Sequence, residues 1–386
     1  VNQASDVEEL YNKKMAEQLI FPNKRANLFF NEYLAGESDQ PIWSPAAMSI
    51  SDLFQKLSVQ KSGDPIRLVC ELYKVFKEET QSQETLDDFY FWGELLISDF
   101  DDVDKNMVDA DKLFSNLQDL KNLMDDYEFL DKEQEEAIQQ FFQNFSIERR
   151  TALKEKFISL WDKLGTIYHR YRENLTELGI AYEGMLYRNV IEQLNTDQLK
   201  YDKYIFVGFN VLNKVENEFF RKLKDAGKAL FYWDYDIFYT QQIRKHEAGE
   251  FLKRNLGEFP NELPESFFDT FKEPKKIRYI SASTENAQAR FLPEWIKMIT
   301  DNHSQIAEEK EKENAVVLCN EALLLPVLHS IPQEVKNVNI TMGFPLAQTP
   351  VYSFINAAME LQTNGYRSDT GRFTYEAVSA ILKHPY

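Results

Sequence analysis

The chain has 386 residues, 43% hydrophobic and 28% charged, a globular balance for which two or three domains are expected. Its 63 carboxylate residues outnumber 44 Lys and Arg, giving a net charge of −19; this excludes broad electrostatic attachment to nucleic acid but leaves room for a local basic groove. Two distant cysteines, Cys70 and Cys319, exclude a disulfide framework and point to a reducing cytoplasm, and no apolar run approaches the roughly 20 residues that cross a bilayer.

In chain order, residues 5–16 pattern as a helix and Gln18–Phe21 as a short strand that ends at Pro22. The stretch KRANLFFNEYLAG reads as a helix from Lys24, stopped near Gly36. A short extended piece ending at Ser49 precedes another helix, with Ser49 or Ser51 as its cap. From about 59 to 200 the apolar spacing becomes almost wholly helical, as in LVCELYKVF, FYFWGELLISDF, AIQQFFQNF and LKEKFISLWDKLGTIYHRYRENL. Strand, turn, helix and strand then follow within KYIFVGFNVLNKVENEFFRKLKDAGKALFYWDYD, with Gly227 as the helix stop. Beyond three loop prolines, KIRYISAS, ENAVVLCN and VNITMG read as strands alternating with helices. The predicted fold class is therefore α/β, with parallel sheets and a large helical insertion in the first. Superfamily-one helicases show that order, with two RecA-like domains.

The chemistry of a nucleotide motor is missing. No GxxxxGK[ST] phosphate loop occurs, and the strand end that would carry a metal-binding acidic pair reads Gly208, Phe209, Asn210. Asp234 and Asp236 end the next strand; a functional role is open to them, but strand-end aspartates more commonly cap or turn. The acidic run from Asp99 to Asp111 lacks the Gly and Glu that a calcium loop needs. The histidines are isolated, no GxSxG elbow appears, and Glu273-Pro274-Lys275 places a proline where a nuclease strand would need a ladder donor. No metal ligand set is predicted.

Several blocks taken together carry a resemblance: LIFPNKRANLFFNEYL, PIWSPAAMSISDLF, FYFWGELLISDFDDVDKNM, AYEGMLYRNV, KYIFVGFNVLNKVE, ALFYWDYD, STENAQARFLPEWI, AVVLCNEALLLPVLHSIP and NITMGFPLAQTPVYSFI. The chain resembles the B subunit of AddAB-type helicase–nucleases, closest to their Bacteroides-type relatives in the PD-(D/E)XK nuclease superfamily. The resemblance implies a degenerate superfamily-one helicase fold: residues 1–58 and 201–272 as RecA-like domain 1, 59–200 as its helical insertion, and 273–386 as a truncated RecA-like domain 2. It implies a motor that has lost ATP hydrolysis, a role in processing DNA double-strand breaks for recombinational repair, and a partner helicase subunit. It places Gly208–Asn210 where the helicase Asp-Glu motif stands, Asp234 and Asp236 on the following strand, and Cys319 and Asn320 where a phosphate-contacting arginine would be. Each departure removes charge that hydrolysis needs. The nuclease domain, a metal-dependent exonuclease using Mg2+, is expected beyond LKHPY.

Ligands of open α/β sheets gather at the strand C-termini and the following helix starts. The candidate contacts to single-stranded or end-bearing DNA are therefore Asn23, Lys24 and Arg25 in the first domain and Thr284, Asn286, Gln288 and Arg290 in the second, with Thr341 and Gly343 behind them. Trp43 and Trp233 could stack on bases, although core packing is the commoner role of such aromatics. The alternative reading is a protein–protein scaffold that docks a partner helicase subunit and never touches DNA.

Overall fold

The computed structural model describes residues 17–37, 44–114, 152–240, 247–264, 268–299 and 314–386. The expected helices at 5–16 and 137–145, and Trp43, lie outside these residues. The chain divides into two compact units, Val1–Pro274 and Lys275–Tyr386.

The first unit is built on a four-stranded parallel sheet. Strands β1 (Glu17–Phe21), β2 (Ala47–Ser49), β5 (Lys203–Val207) and β6 (Ala229–Tyr232) lie in the order β2-β1-β5-β6. Leu19 sits between Ala47 and Ile205, and Phe206 opposite Phe231. Helix α1 (Lys24–Gly36) follows β1, α2 (Ile50–Leu57) follows β2, and α7 (Lys214–Asp225) joins β5 to β6. Gly227, at φ +67°, ends that last connection in the left-handed conformation that glycine takes without strain.

Between β2 and β5 the chain forms a helical block of α3 (Pro65–Thr80), α4 (Leu86–Lys105), α5 (Ala152–Glu177) and α6 (Glu183–Gln193). The start of α3 is set by Asp64 as cap and Pro65 in the first turn, and that of α4 by a Thr85–Asp88 capping box. Two residue pairs that the sequence pattern did not reveal tie the entry of this block to the junction of α5 and α6: β3 (Lys61–Ser62) lies parallel to β4 (Ile180–Ala181). Strands of two residues are too short to carry a period.

Sheet and helical block share one core. Ile20, Phe206 and Phe231 of the strands, Phe54 of α2, Phe219 and Phe220 of α7, Leu72 of α3, Phe100 of α4 and Tyr171 of α5 all belong to it. The Phe54 ring stacks on Tyr187 of α6 at 4.2 Å and meets Phe219 at 5.0 Å, so α6 is wedged against both sheet helices.

Inside the block Asp104 is fully buried. Its carboxylate accepts the Tyr168 hydroxyl at 2.5 Å, the Tyr182 hydroxyl and the Arg172 guanidinium, with Arg188 Nη1 at 3.3 Å. Arg172 also donates to Asn189 Oδ1 at 2.8 Å. Burial, then the neighbouring Asp104 charge, push the Tyr168 phenol up to about 12, and the same two causes raise Tyr182. Both tyrosines therefore remain neutral donors at physiological pH.

In the second unit, helices α9 (Glu285–Arg290), α10 (Leu292–Ile299) and α11 (Leu324–Ser330) surround a small core of Ala289, Leu292 and Val327. Helix α12 (Pro350–Thr363) is followed by a short antiparallel pair, Tyr366–Arg367 with Arg372–Phe373, and by α13 (Tyr375–Leu382). Here the structure differs from the sequence reading: among the described residues, none of the three expected strands at 276–283, 313–320 and 338–343 joins a ladder. Most of their apolar residues are solvent-facing, Tyr279 at 91% and Val317 at 83% exposure, while Leu318 packs on the small core. An alternating apolar pattern becomes a strand only where a neighbour supplies both an edge and a covering layer. Helix α8 (Glu250–Glu258) of the first unit caps the β6 side of the core through Phe259, which packs on Phe231 at 4.9 Å.

Asp104→Ala should cost about 3–5 kcal/mol in urea unfolding, because it strands two guanidiniums and two hydroxyls; Arg188→Met, with Arg172 left in place, should cost clearly less. On α4, burial and then the Asp102 charge push the Asp99 carboxyl up to about 6. A raised carboxyl favours the protonated fold, so the contribution of Asp99 to stability should be greatest below about pH 4, fall as pH rises through 6, and stay lost above it. At pH 7, after discounting for solvent screening, Asp99→Asn should then be about 1 kcal/mol more stable than the parent chain, read from unfolding midpoints at pH 4 and pH 7.

Candidate functional site

Because the four strands are parallel, their C-terminal ends share one edge, and helices α1, α2 and α7 start there. The chain leaves β1 towards β2 and leaves β5 towards β6, in opposite directions across the sheet. The switch point thus falls between β1 and β5, beside the loops Pro22–Asn23 and Gly208–Asn213, where open α/β sheets take their ligands.

The helix starts along this edge could present N–H groups to a phosphate. Instead the protein's own side chains occupy them. At α2, Ser49 Oγ accepts the Asp52 N–H at 3.2 Å, and the Asp52 carboxylate takes the Ser49 hydroxyl at 2.7 Å and its N–H at 3.4 Å. The Ser49 hydroxyl, against burial and aided by Lys24 at 3.3 Å, holds Asp52 below the usual carboxylate range. At α7, Asn213 Oδ1 accepts the Glu216 N–H at 2.8 Å and Glu216 accepts the Asn213 N–H at 3.1 Å. Burial outweighs that bond and raises the Glu216 carboxyl.

Helix α6 begins against α4 in the same manner. The Gly184 N–H donates to the Asp101 carboxylate, and a Cβ on Gly184 would lie 2.4 Å from the Asp101 carbonyl oxygen, so only glycine permits the approach. Lys105 Nζ then bridges Asp101 at 2.7 Å and Glu183 at 2.6 Å, while Glu183 accepts the Tyr187 hydroxyl at 3.0 Å. The ammonium is held as an internal counter-ion: burial lowers its pKa, but the hydrogen bonds it donates to Asp101 and Glu183 win and raise it.

One open groove of about 680 Å3 lies between α1 and α2. Lys24, Asn27, Ser49, Asp52, Gln55 and Lys56 line it with polar groups, Lys24 paired to Asp52, and Leu28, Ala47 and Met48 with apolar ones. Asn23 and Lys24 were expected at this place. Asn23 is the cap of α1, accepting the Ala26 N–H at 3.0 Å, and Arg25 is half-buried outside the groove. Asn27, Gln55 and Lys56 were missed, yet they stand three and four residues from Lys24 and Asp52, the spacing that shares a helix face.

The other expected positions have these places. Gly208, at φ +74°, extends the ladder with an N–H donated to the Tyr232 carbonyl at 3.0 Å. Phe209 turns inward and packs on Phe206 and Phe220. The Asn210 carbonyl accepts Asn255 Nδ2 at 2.6 Å. Asp234 is exposed, whereas Asp236 accepts the N–H groups of Phe238, Thr270 and Phe271 at 2.8, 3.0 and 2.8 Å. Desolvation opposes ionisation of Asp236, but those three donors hold it below the usual carboxylate range. Trp233 is a core residue whose indole donates to the Phe259 carbonyl at 3.1 Å.

In the second unit Thr284 caps α9 through the Ala287 N–H at 3.1 Å. Asn320 donates to Glu285 at 3.0 Å, which brings these two expected regions together. Asn286, Gln288, Arg290, Cys319, Thr341 and Gly343 are exposed. The sequence did not foresee a Ser353–His384 pair at 2.8 Å. The Tyr386 N–H points at His384 Nδ1 at 3.3 Å, so Nε2 carries the proton and donates to Ser353, whose hydroxyl binds the Pro350 carbonyl at 2.8 Å. That tautomer cannot accept a proton from the serine.

A comparison with protein-family models finds no match, and no curated protein matches the sequence.

With the starts of α2, α6 and α7 closed by internal side chains, millimolar Mg-ATP should leave the thermal midpoint within about 1 °C of its starting value. A nucleotide held with a dissociation constant of about 10 µM would add about 2.7 kcal/mol at 1 mM and raise the midpoint by several degrees.

Proposed function

We propose that the chain is a non-hydrolysing, helicase-like DNA-handling module of a nuclease system that processes double-strand breaks for recombinational repair. In this reading the two units correspond to two RecA-like domains, the first keeping its parallel sheet. The observation that supports it is the C-terminal edge of that sheet: a parallel strand–helix frame, compatible with that of a nucleotide hydrolase, carries Gly208–Asn210 at the strand end, and internal carboxylates close the helix starts. The block-by-block sequence resemblance supplies the biological role. Exonuclease chemistry and its Mg2+ belong, in this reading, to a domain other than these residues, and a cytoplasmic helicase subunit is the partner.

The α1–α2 groove is where a single strand fits best. Lys24 and Lys56 offer two phosphate contacts, Asn27 and Gln55 offer amides, and Met48 and Leu28 offer an apolar surface to a base. Such local contacts are compatible with a net charge of −19, because binding answers to the charges beside the phosphates more than to those beyond a Debye length.

Fluorescence anisotropy with labelled single-stranded and duplex-ended DNA over a salt series tests this. Saturable binding at low salt is expected, and Lys24→Ala with Lys56→Ala should reduce the single-strand log–log salt slope by about 1.4. No saturable binding by the parent chain would remove the DNA reading and leave the scaffold alternative.

A further inference from the structure

We propose that the outward face of α12 is a self-association surface, on which a second copy of the chain docks its own α12 about a two-fold axis. One side of this helix is already engaged. Ser353 Oγ meets His384 at 2.8 Å, just past the end of α13, and the Phe354 ring lies 5.3 Å from the same imidazole. Phe354, Ala357 and Leu361, three and four residues apart, are half-buried along that side. The opposite side carries Val351, Tyr352, Ile355 and Met359, which are 44%, 37%, 46% and 59% exposed. None of the fourteen residues of α12 is buried. A helix with one side on its neighbour ordinarily turns polar groups outward; this one turns apolar groups outward as well.

The absence of charge narrows the occupant. The thirty residues from Asn337 to Tyr366 carry one charged side chain, Glu360, in a chain that is 28% charged. Glu360 accepts from Asn364 Nδ2 at 3.0 Å and stands off the exposed stripe. Nucleic acid finds no Lys or Arg in this stretch, and an acidic or basic partner segment finds no row of counter-charges. Depletion of charge around exposed Tyr and Met is instead the composition found at the centre of a protein–protein contact.

The stripe fits its own like. Val351, Ile355 and Met359 stand four residues apart and form one continuous ridge. When such ridges of two helices interdigitate, at a crossing angle of about −50°, both partners use the same rows, so a two-fold axis can relate them. Ile355, at the middle of the ridge, then lies beside its own symmetry mate. Because the ridge is uncharged, the net −19 of each copy is not concentrated at the contact. None of these residues belongs to the first unit, so this surface stands with or without the DNA reading.

Sedimentation velocity of the full chain from about 1 to about 100 µM tests this, a range suited to weak and moderate contacts. A dimer that forms reversibly within it is expected. Ile355→Asp and Ile355→Lys, each made alone, should weaken the dimer by about tenfold or more. Mixing the two variants should restore a heterodimer, because opposite charges then meet at the axis. A parent chain that stays monomeric throughout would overturn the proposal and leave the face to a partner helix or a lipid surface. A dimer untouched by either substitution, or one that mixing does not restore, would place the contact elsewhere and equally overturn it. So would a fall of many degrees in the melting midpoint of both variants, which would show the face covered by the chain itself. A dimer without DNA binding would leave this surface standing and remove only the DNA reading.

Discussion

The buried Asp104 carboxylate holds the helical block together, and through it the first unit. It gathers α4, α5 and the approach to α6 around one charge, with two guanidiniums and two phenols as partners. Burying a charge is costly unless every lone pair is used, and here Tyr168 and Arg172 arrive from α5, Tyr182 from the start of α6 and Arg188 from within it. A network of this kind tolerates few alternative packings. Its effect reaches the sheet because α6, fixed on one side by Arg188 and Asn189, lays Tyr187 on Phe54 and so sets α2 over β1 and β2.

The same economy explains the edge of the sheet. Parallel strands bring several helix N-termini close together, and their unpaired N–H groups invite an anion. A nucleotide-using protein leaves them for phosphate. In this chain Asp52 and Glu216 reach back to their own caps, and Asp101 meets the start of α6. Lys105 then balances Asp101 and Glu183 from within. The frame is kept stable by side chains standing where a ligand's charge would stand, and Phe209 is drawn into the core rather than left at the strand end.

Charge is unevenly spread over this first unit. The α1–α2 groove carries lysines within a strongly acidic chain, while the outside of α4 carries carboxylates around exposed aromatics. Screening over about 8–10 Å keeps the two local charge patterns from cancelling. The net charge of −19 describes neither of them.

The sequence by itself determined the local elements. The strand at Gln18–Phe21, the helix from Lys24, the Ser49 cap and the run from Lys203 through Gly227 to Ala229 all stand close to where periodicity, caps and glycine put them. These are short-range effects, written within a few neighbouring residues. Only tertiary structure decided which carboxylates close which helix, that Asp104 meets Arg172 and Arg188, that Lys61–Ser62 pairs with Ile180–Ala181, and that Lys24 shares a groove with Lys56. It also left the apolar stretches around Tyr279, Val317 and Ile340 without ladders, although their patterns resemble those of true strands. The physical reason is common to all of these: a helix satisfies its backbone from its own turns, whereas a strand, an ion pair or a groove wall exists only when a residue far along the chain arrives to complete it.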